Sequence, residues 1–256
     1  MSLTIRGPHD QPITSIDEWH DAMPARVRNH WRAERSAREL AQSWFRGGAD
    51  SPAIPAELAA VLDTCDETRG FNPELVYPER VTHLDTYRGG QRNHDVIIVG
   101  SAAAGKILVA IEAKADEPLG PTLADQIRRP PVASHKPDRL DALCCALLSR
   151  PYSQDLSGLR YQLFTAAVGT AMAAADESAD IAVLVVQIFK PTTLSPNSAE
   201  KRAPNDRDID AFLRALGIAP GPTGTLAGPV KVDAGRSAAT TIPLLVGHVE
   251  SSVAGP

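Results

Sequence analysis

The segment from residue 106 to residue 114 constrains the fold of this 256-residue chain more than any other. Residues 107–111 are all aliphatic, so an extended strand here is apolar on both of its faces. Glu112, Ala113 and Lys114 follow without a break. A strand that is apolar on both faces normally lies in the centre of a sheet, with helices covering each side. The segment therefore predicts a central strand of an α/β domain that ends in charged residues.

Two more strands are predicted immediately before this one. Residues 80–87 alternate in polarity and residues 95–100 are mostly aliphatic, while the turn-rich residues 88–93 separate them. Residues 101–105 are short enough for a hairpin loop. The pattern predicts a β-meander over residues 80–115, and residues 180–189 predict a buried fourth strand.

Helices are predicted on both sides of the meander. Ser36 can cap a helix from about residue 37 to residue 46, and Glu39 stands at the position of an S-x-x-E capping box. Further helices are expected within the ranges that follow: residues 55–66, 121–150, 156–175 and 208–216. A mixed central sheet flanked by helices is the expected architecture.

Three divisions of the chain follow from this order. Residues 1–20 are polar and are expected to form a loosely attached N-terminal arm. Residues 21–192 are expected to form the α/β core. Residues 193–256 are expected to pack on that core as a C-terminal extension. A polar loop over residues 190–205 leads into this extension, which includes a late strand at residues 241–250.

The predicted hairpin brings two carboxylates together. If its centre lies between Ala103 and Ala104, antiparallel pairing places Asp95 opposite Glu112, with their Cβ atoms about 4.5–5.5 Å apart. Lys114 lies on the same face as Glu112, because side chains two residues apart on a strand share a face. Two carboxylates so close repel each other, and a divalent cation relieves the repulsion. Mg²⁺ commonly takes one or two carboxylates, so this pattern predicts a magnesium site.

Asp95, followed after a hairpin by Glu112-Ala113-Lys114, resembles the D…(D/E)-x-K signature of the PD-(D/E)XK nuclease superfamily. The resemblance covers roughly residues 36–190 and implies a restriction-endonuclease-like αβββαβ core. It implies that Asp95 and Glu112 bind Mg²⁺, for which Mn²⁺ can substitute, that Ala113 completes the metal-binding set, and that Lys114 assists the water that attacks the phosphodiester. The implied substrate is nucleic acid, with DNA favoured over RNA.

The same resemblance implies two further catalytic residues. Glu39 is the candidate for a glutamate of the first core helix, and Gln162 is similar in position to a glutamine that some members carry in the helix after the meander. Two positions depart from the pattern. His94 stands where the family often has proline, and Ala166 stands where a Q-x-x-x-Y helix has tyrosine.

Composition limits the function classes. With 26 Lys and Arg against 31 Asp and Glu, the net charge is −5, which disfavours a protein that coats nucleic acid indiscriminately. Two groups of basic residues nevertheless stand out: Arg26, Arg28, Arg32, Arg35, Arg38 and Arg46, and then Arg128, Arg129, Lys136 and Arg139. These groups can hold a nucleic-acid backbone or form solvated helix faces. The sequence lacks a membrane segment, a secretory signal and a disulfide framework, so a cytoplasmic protein is expected. A homodimer is left open.

Three other interpretations are compared with the magnesium site: a P-loop, a zinc site and a binding module without catalysis. Residues 100–106 match the G-x-x-x-x-G-K pattern of a phosphate-binding P-loop, although Ile107 stands where Ser or Thr would reach Mg²⁺. The histidines and cysteines show no zinc-binding spacing. The third alternative is a nuclease-like fold that binds nucleic acid or protein without cleaving it, which the acidic balance favours.

Overall fold

The computed structural model describes residues 3–24, 28, 31–47, 52–115, 117–128, 134–190, 196–235 and 240–253, with side chains described for all of these except residues 196–204. The strands are β1 (Thr4–Ile5), β2 (Asn72–His83), β3 (Gln91–Ala102), β4 (Gly105–Lys114), β5 (Ile181–Lys190), β6 (Leu226–Asp233) and β7 (Thr241–Ser252). The α-helices are α1 (Ile16–Ala22), α2 (Ser36–Trp44), α3 (Ala56–Leu62), α4 (Leu123–Ile127), α5 (Lys136–Leu148), α6 (Tyr161–Asp176) and α7 (Pro196–Ala215).

The strands form one mixed sheet in the order β1-β2-β3-β4-β5-β7-β6. β2, β3 and β4 make an antiparallel meander, as the sequence predicts. β5 then runs parallel to β4, and β7 runs parallel to β5. β4 is therefore a central strand, and the prediction of an α/β fold with a mixed central sheet flanked by helices is confirmed.

Two apolar cores cover the two faces of this sheet. On one face, α5, α6 and the second half of α7 pack over alternate residues of β3, β4 and β5. On the other face, α1, α2 and α3 pack over the intervening residues of the same strands. Since both faces are covered, the aliphatic run of β4 is buried throughout. Within the described residues, no helix is long and apolar enough to cross a bilayer.

The predicted N-terminal arm is wrong in one respect, because the segment is not loosely attached. Ile5, Ile13 and Trp19 are buried, and β1 pairs with β2. The Trp19 ring packs 6.5 Å from that of Trp44 on α2, measured between centroids. A few widely spaced apolar residues thus fix a segment whose average composition is polar.

Element boundaries also differ from the predictions. β2 begins at Asn72 rather than residue 80, although it contains Pro73 and Pro78. β1 pairs with β2 only at Leu75 and Val76, so most of the outer edge of β2 needs no N–H donor and tolerates proline. The predicted loop over residues 190–205 is wrong from residue 196 onwards, where α7 begins, and residues 191–195 lie outside the described residues.

The predicted capping box is also wrong. The N-cap of α2 is Arg35, and the hydroxyl of Ser36 donates to Glu117 instead. The P-loop alternative fails because residues 100–106 form the β3–β4 hairpin, in which Ala102 pairs with Gly105. The chain then continues as a strand and not as the helix a P-loop requires.

Candidate active site

The candidate site lies where β3 and β4 separate. Their ladder runs from Ala102–Gly105 to Val96–Ile111, which is the register that the predicted hairpin centre requires. One step beyond the last pair, Asp95 Oδ2 accepts a hydrogen bond of 2.7 Å from the Ala113 N–H. Where the backbone ladder ends, the Asp95 side chain therefore continues the hydrogen bonding between the two strands. It binds the strand that carries Glu112 and Lys114.

A break in the alternation of β3 brings more side chains to this point. Ile97 and Val99 face the core under α6, so residues of even number should face away from it. Arg92 nevertheless lies against α6, because a Cβ built on Gly169 would be 2.9 Å from its Cγ. Across the sheet, Glu79 has a φ of 55° between the regular pairs on either side of it. Beyond this point the side chains of both strands alternate in the opposite sense. Arg92 therefore lies on the same face of the sheet as Glu112.

Glu112 is the centre of the resulting cluster. Its carboxylate, 2% exposed, accepts hydrogen bonds from Arg92 on β3, from Lys114 Nζ at 2.6 Å, and from the Gln162 amide on α6. Burial alone raises the pKa of the Glu112 carboxyl, but Arg92 and Lys114 outweigh it and lower that pKa to about 2. Glu112 is therefore ionised, and two buried cations share it.

Lys114 stays charged in spite of its burial. Burial lowers the pKa of the Lys114 ammonium, but the charges of Glu112 and Asp95 outweigh it, and the pKa is raised. A protonated ammonium can donate hydrogen bonds but does not accept a proton. Its chemistry at this site is therefore to hold a water or an anionic oxygen.

Asp95 behaves in the opposite way to Glu112. Burial and the nearby charge of Glu112 raise the pKa of the Asp95 carboxyl to about 7, against the weaker opposing effects of Lys114 and Arg92. Asp95 is still partly exposed, whereas Glu112 is almost completely buried. At neutral pH the Asp95 carboxyl is therefore the more readily protonated of the two.

The carboxylate oxygens of Asp95 and Glu112 are the type of ligand that a hard divalent cation prefers. Asp95 offers a carboxylate whose pKa is raised by burial and by the charge of Glu112, and a cation bound there would favour its ionised form. Among the described residues, no group of three or more His, Cys, Asp or Glu side chains lies close enough to hold a metal ion. A cation would therefore use Asp95, Glu112 and the main chain of Ala113, together with oxygens from water or substrate.

Of the five predicted catalytic residues, four come together in the structure. The fifth, Glu39, contacts a residue close to it in the chain instead. Asp95, Glu112, Lys114 and Gln162 meet as described above. Glu39 lies on α2, which packs on the opposite face of the sheet from α6. It is 2% exposed and accepts a hydrogen bond of 2.8 Å from the Glu34 N–H. A catalytic role for Glu39 stays a prediction.

Several polar residues of β3 fall outside the predicted strands. Arg92 and Asn93 lie in the predicted turn, yet both belong to the strand. His94 is completely buried, and its Nε2 lies 3.2 Å from the Thr82 hydroxyl. Burial and then the charge of Arg92 hold the pKa of the His94 imidazole well below its ordinary value, so the ring is neutral. The residue types carry no signal for this placement, because residues 91–95 are all polar and do not distinguish a strand from a turn.

The two basic groups are partly occupied within the protein. Arg46 pairs with Glu57 at 2.7 Å and Arg28 donates to main-chain oxygens, while Arg26 lies outside the described residues. In the second group, Arg139 pairs with Asp85 at 2.5 Å, and Arg129 lies outside the described residues. Parts of both groups are thus engaged within the protein, while Arg28, Arg32, Arg35 and Arg46 are exposed.

Comparison with known proteins gives one match. The sequence model of a family described as a domain of unknown function, DUF6946, matches residues 12–252. No curated protein and no solved structure matches this chain.

Proposed function

The chain belongs to the DUF6946 family, whose description gives no activity, and we propose from its side chains that it is a Mg²⁺-dependent nuclease. The observation that carries the proposal is the convergence of Asp95, Glu112 and Lys114 at the point where β3 and β4 separate. Two carboxylates with pKa values of about 7 and about 2 lie beside a buried ammonium group. Environments that push the pKa values of neighbouring groups so far apart are typical of functional sites.

The order of the elements supports the same proposal. A helix precedes the antiparallel meander β2-β3-β4, helices follow it, and β5 returns parallel to β4. The same order of elements is expected of a restriction-endonuclease-like αβββαβ core, and it supports the proposal because the candidate residues lie on the second and third meander strands. β1, β6 and β7 extend that sheet at its two edges.

Each residue has a separate role in the proposed reaction. A cation held by Asp95, Glu112 and Ala113 would polarise a phosphodiester and lower the pKa of a water. Lys114 holds that water or balances negative charge as it develops on phosphorus. Gln162 and Arg92 are positioning residues, because they fix the orientation of the Glu112 carboxylate.

The test is a cleavage assay with the purified chain. Supercoiled plasmid, linear duplex DNA, single-stranded DNA and RNA are incubated with Mg²⁺ or Mn²⁺, and then with EDTA. We expect metal-dependent cleavage that Asp95→Asn and Lys114→Ala each lower about 10²–10³-fold in kcat/KM, the usual cost of removing one group that stabilises developing charge.

Matched controls separate the site from general effects on the protein. Asp66→Asn and Lys231→Ala change the same residue types at exposed positions and should keep full activity. Circular dichroism and urea unfolding show whether each variant folds. Failure of the wild-type chain to cleave any substrate, or full activity in Asp95→Asn and Lys114→Ala, would contradict the proposal.

A second candidate is a nucleic-acid binding module without cleavage. The observation that favours it is the saturation of Glu112, since Arg92, Lys114 and Gln162 already occupy both of its carboxylate oxygens. A cation at Glu112 would have to share those oxygens with two cationic side chains. The same assay separates the candidates, because a binding module retains DNA in EDTA and releases no product with metal.

A further inference from the structure

A polar cavity of about 340 Å³ lies beside the candidate site. We call it the Arg92 pocket, and the residues of its lining that matter here are Arg92, Gln126, Lys136, Arg139, Tyr161 and Thr165. Among the described residues that line it, three are cationic and none is Asp or Glu. A cavity of this kind suits an anion that accepts several hydrogen bonds.

Arg92 joins this pocket to the candidate active site. The residue lines the pocket, while its guanidinium also donates to Glu112. Its side chain is 8% exposed, and its Nε has no hydrogen-bond partner among the described residues. Buried polar atoms without partners are uncommon, so the unpaired Arg92 Nε–H points to an acceptor, from a ligand or water, that completes its hydrogen bonding.

The walls of the pocket are held in place by contacts around its rim. Arg139 Nε donates to Asp85 Oδ2 at 2.5 Å, which ties α5 to the loop between β2 and β3. Tyr87 of that loop stacks on His135, the N-cap of α5, with ring centroids 4.0 Å apart. The exposed Lys136 follows His135 and so lies at the positive end of the α5 dipole. Arg139 is therefore held in place before any ligand arrives, with Asp85 as its counter-ion, while Lys136 is exposed at the rim.

We propose that the Arg92 pocket is a phosphate subsite, which receives a backbone phosphate of the nucleic acid next to the phosphate that is hydrolysed at Asp95 and Glu112. This inference rests on the proposed nuclease function. Arginine and lysine are the usual partners of backbone phosphates, which fix the register of the substrate without reading its sequence. A free nucleotide would offer the same phosphate chemistry, so the experiment includes it as a separate arm.

Binding is measured without cleavage, in EDTA. Fluorescence anisotropy of a labelled single-stranded oligonucleotide is recorded over a range of salt concentrations for the wild-type chain and for Lys136→Glu. We expect Lys136→Glu to weaken binding about tenfold at low salt and to reduce the slope of log K against log salt by about 0.7, which corresponds to one phosphate contact. The control Lys231→Glu, at an exposed position of β6, should bind as the wild type does.

Nuclear magnetic resonance tests the pocket directly. The Nε–H resonance of Arg92, assigned by its loss in Arg92→Lys, should shift when oligonucleotide is added and should shift less in Lys136→Glu. Inorganic phosphate and a mononucleotide are titrated in parallel. A shift with these small anions but none with oligonucleotide would overturn the subsite as a nucleic-acid contact.

The outcomes separate this inference from the proposed function. Equal affinity and an equal salt slope in the wild type and Lys136→Glu would overturn the subsite, even if Asp95→Asn abolishes cleavage. The absence of any oligonucleotide binding in EDTA would overturn it as well. Binding that depends on Lys136, in a chain that cleaves nothing with metal, would support the subsite and reject the nuclease.

Discussion

β4 carries a lysine near each end, each is paired with a glutamate, and the two pairs lie in very different surroundings. At the hairpin end, Lys106 Nζ lies 3.3 Å from Glu177 and the lysine side chain is 40% exposed. At the open end, Lys114 Nζ lies 2.6 Å from Glu112 and the lysine side chain is 8% exposed. Water screens the first pair and is excluded from the second, so the same residue types contribute differently to the protein.

The difference bears on the proposed function more than on stability. The Lys106 pair also has structural contacts, since the Lys106 ammonium donates to the Glu177 carbonyl at 2.5 Å. The Lys114–Glu112 pair belongs to a larger cluster. That cluster also contains Arg92 and Asp95 from β3 and the Gln162 amide from α6. A buried ion cluster of this kind is weak support for stability, because apolar residues of similar volume often serve as well. Its presence at the strand end is better explained by chemistry that needs charge there.

The largest expected effect comes from removing the shared carboxylate. Glu112→Ala leaves Arg92 and Lys114 buried without their main counter-ion, and we expect it to lower the free energy of unfolding by about 3–5 kcal/mol. Glu177→Ala, at the hairpin end, should lower it by about 1 kcal/mol or less. Urea unfolding followed by circular dichroism measures both variants. Similar losses in the two variants would show that burial does not distinguish the two ends of β4.

The next effect in size is a pH dependence carried by Asp95. An unfolded aspartate loses its proton near pH 4, whereas the folded Asp95 keeps it up to about pH 7. Asp95 therefore makes the free energy of unfolding fall as pH rises from about 4 to about 7, whereas His94, which is neutral when folded, makes it rise up to about pH 6.5. The change is smaller than the loss in Glu112→Ala because Asp95 remains partly exposed.

Asp95→Asn tests this dependence. The asparagine amide can still accept the Ala113 N–H but does not titrate, so in EDTA the unfolding free energy of Asp95→Asn should rise more, or fall less, than that of the wild type between about pH 4 and about pH 7. The exposed control Asp66→Asn should keep the wild-type profile. An unchanged slope in Asp95→Asn would show that another group carries the pH dependence.

The sequence was sufficient to predict the strand that carries the site. The aliphatic run of β4, the hairpin before it and the i, i+2 rule together predict the Val96–Ile111 register, and that register is confirmed. The late strand at residues 241–250 is also confirmed, as β7. Strand register and face are local properties, so a period of two residues is enough to infer them.

Arg92 shows why the rest was not predictable. The residue reaches Glu112 only because β2 and β3 change faces near Glu79 and Asp95, and nothing in the residue types marks that change. The burial of Ile5 and Ile13 likewise depends on α1 and α2 packing nearby, which is a tertiary effect. The helical start of α7 is similar, because the apolar residues that attach it, Phe212 and Leu213, come near its end.

The substitution Gly169→Ala tests how closely α6 packs against the charged end of β4. In most helices Gly→Ala is stabilising by about 1 kcal/mol. Here the new methyl group would lie 2.9 Å from Arg92 Cγ and 3.3 Å from His94 Cε1. We expect the crowding to cost about 1–3 kcal/mol, so that Gly169→Ala is neutral or destabilising in urea unfolding and lowers any cleavage activity through Arg92. Gly158→Ala, where a Cβ meets nothing within 4 Å, is the control. A clear gain in stability for Gly169→Ala would show that Arg92 moves aside freely.

The smallest effect is expected from Lys106→Ala at the hairpin end. Glu177 keeps a second partner there, Arg80 at 2.6 Å, so the carboxylate is not left alone when Lys106 is removed. We expect a loss of about 0–1 kcal/mol in the free energy of unfolding and no change in cleavage. The pair is screened by water, so this loss should also shrink further as salt is raised. A loss as large as that of Glu112→Ala would mean that the position on β4, and not burial, decides what a lysine–glutamate pair contributes.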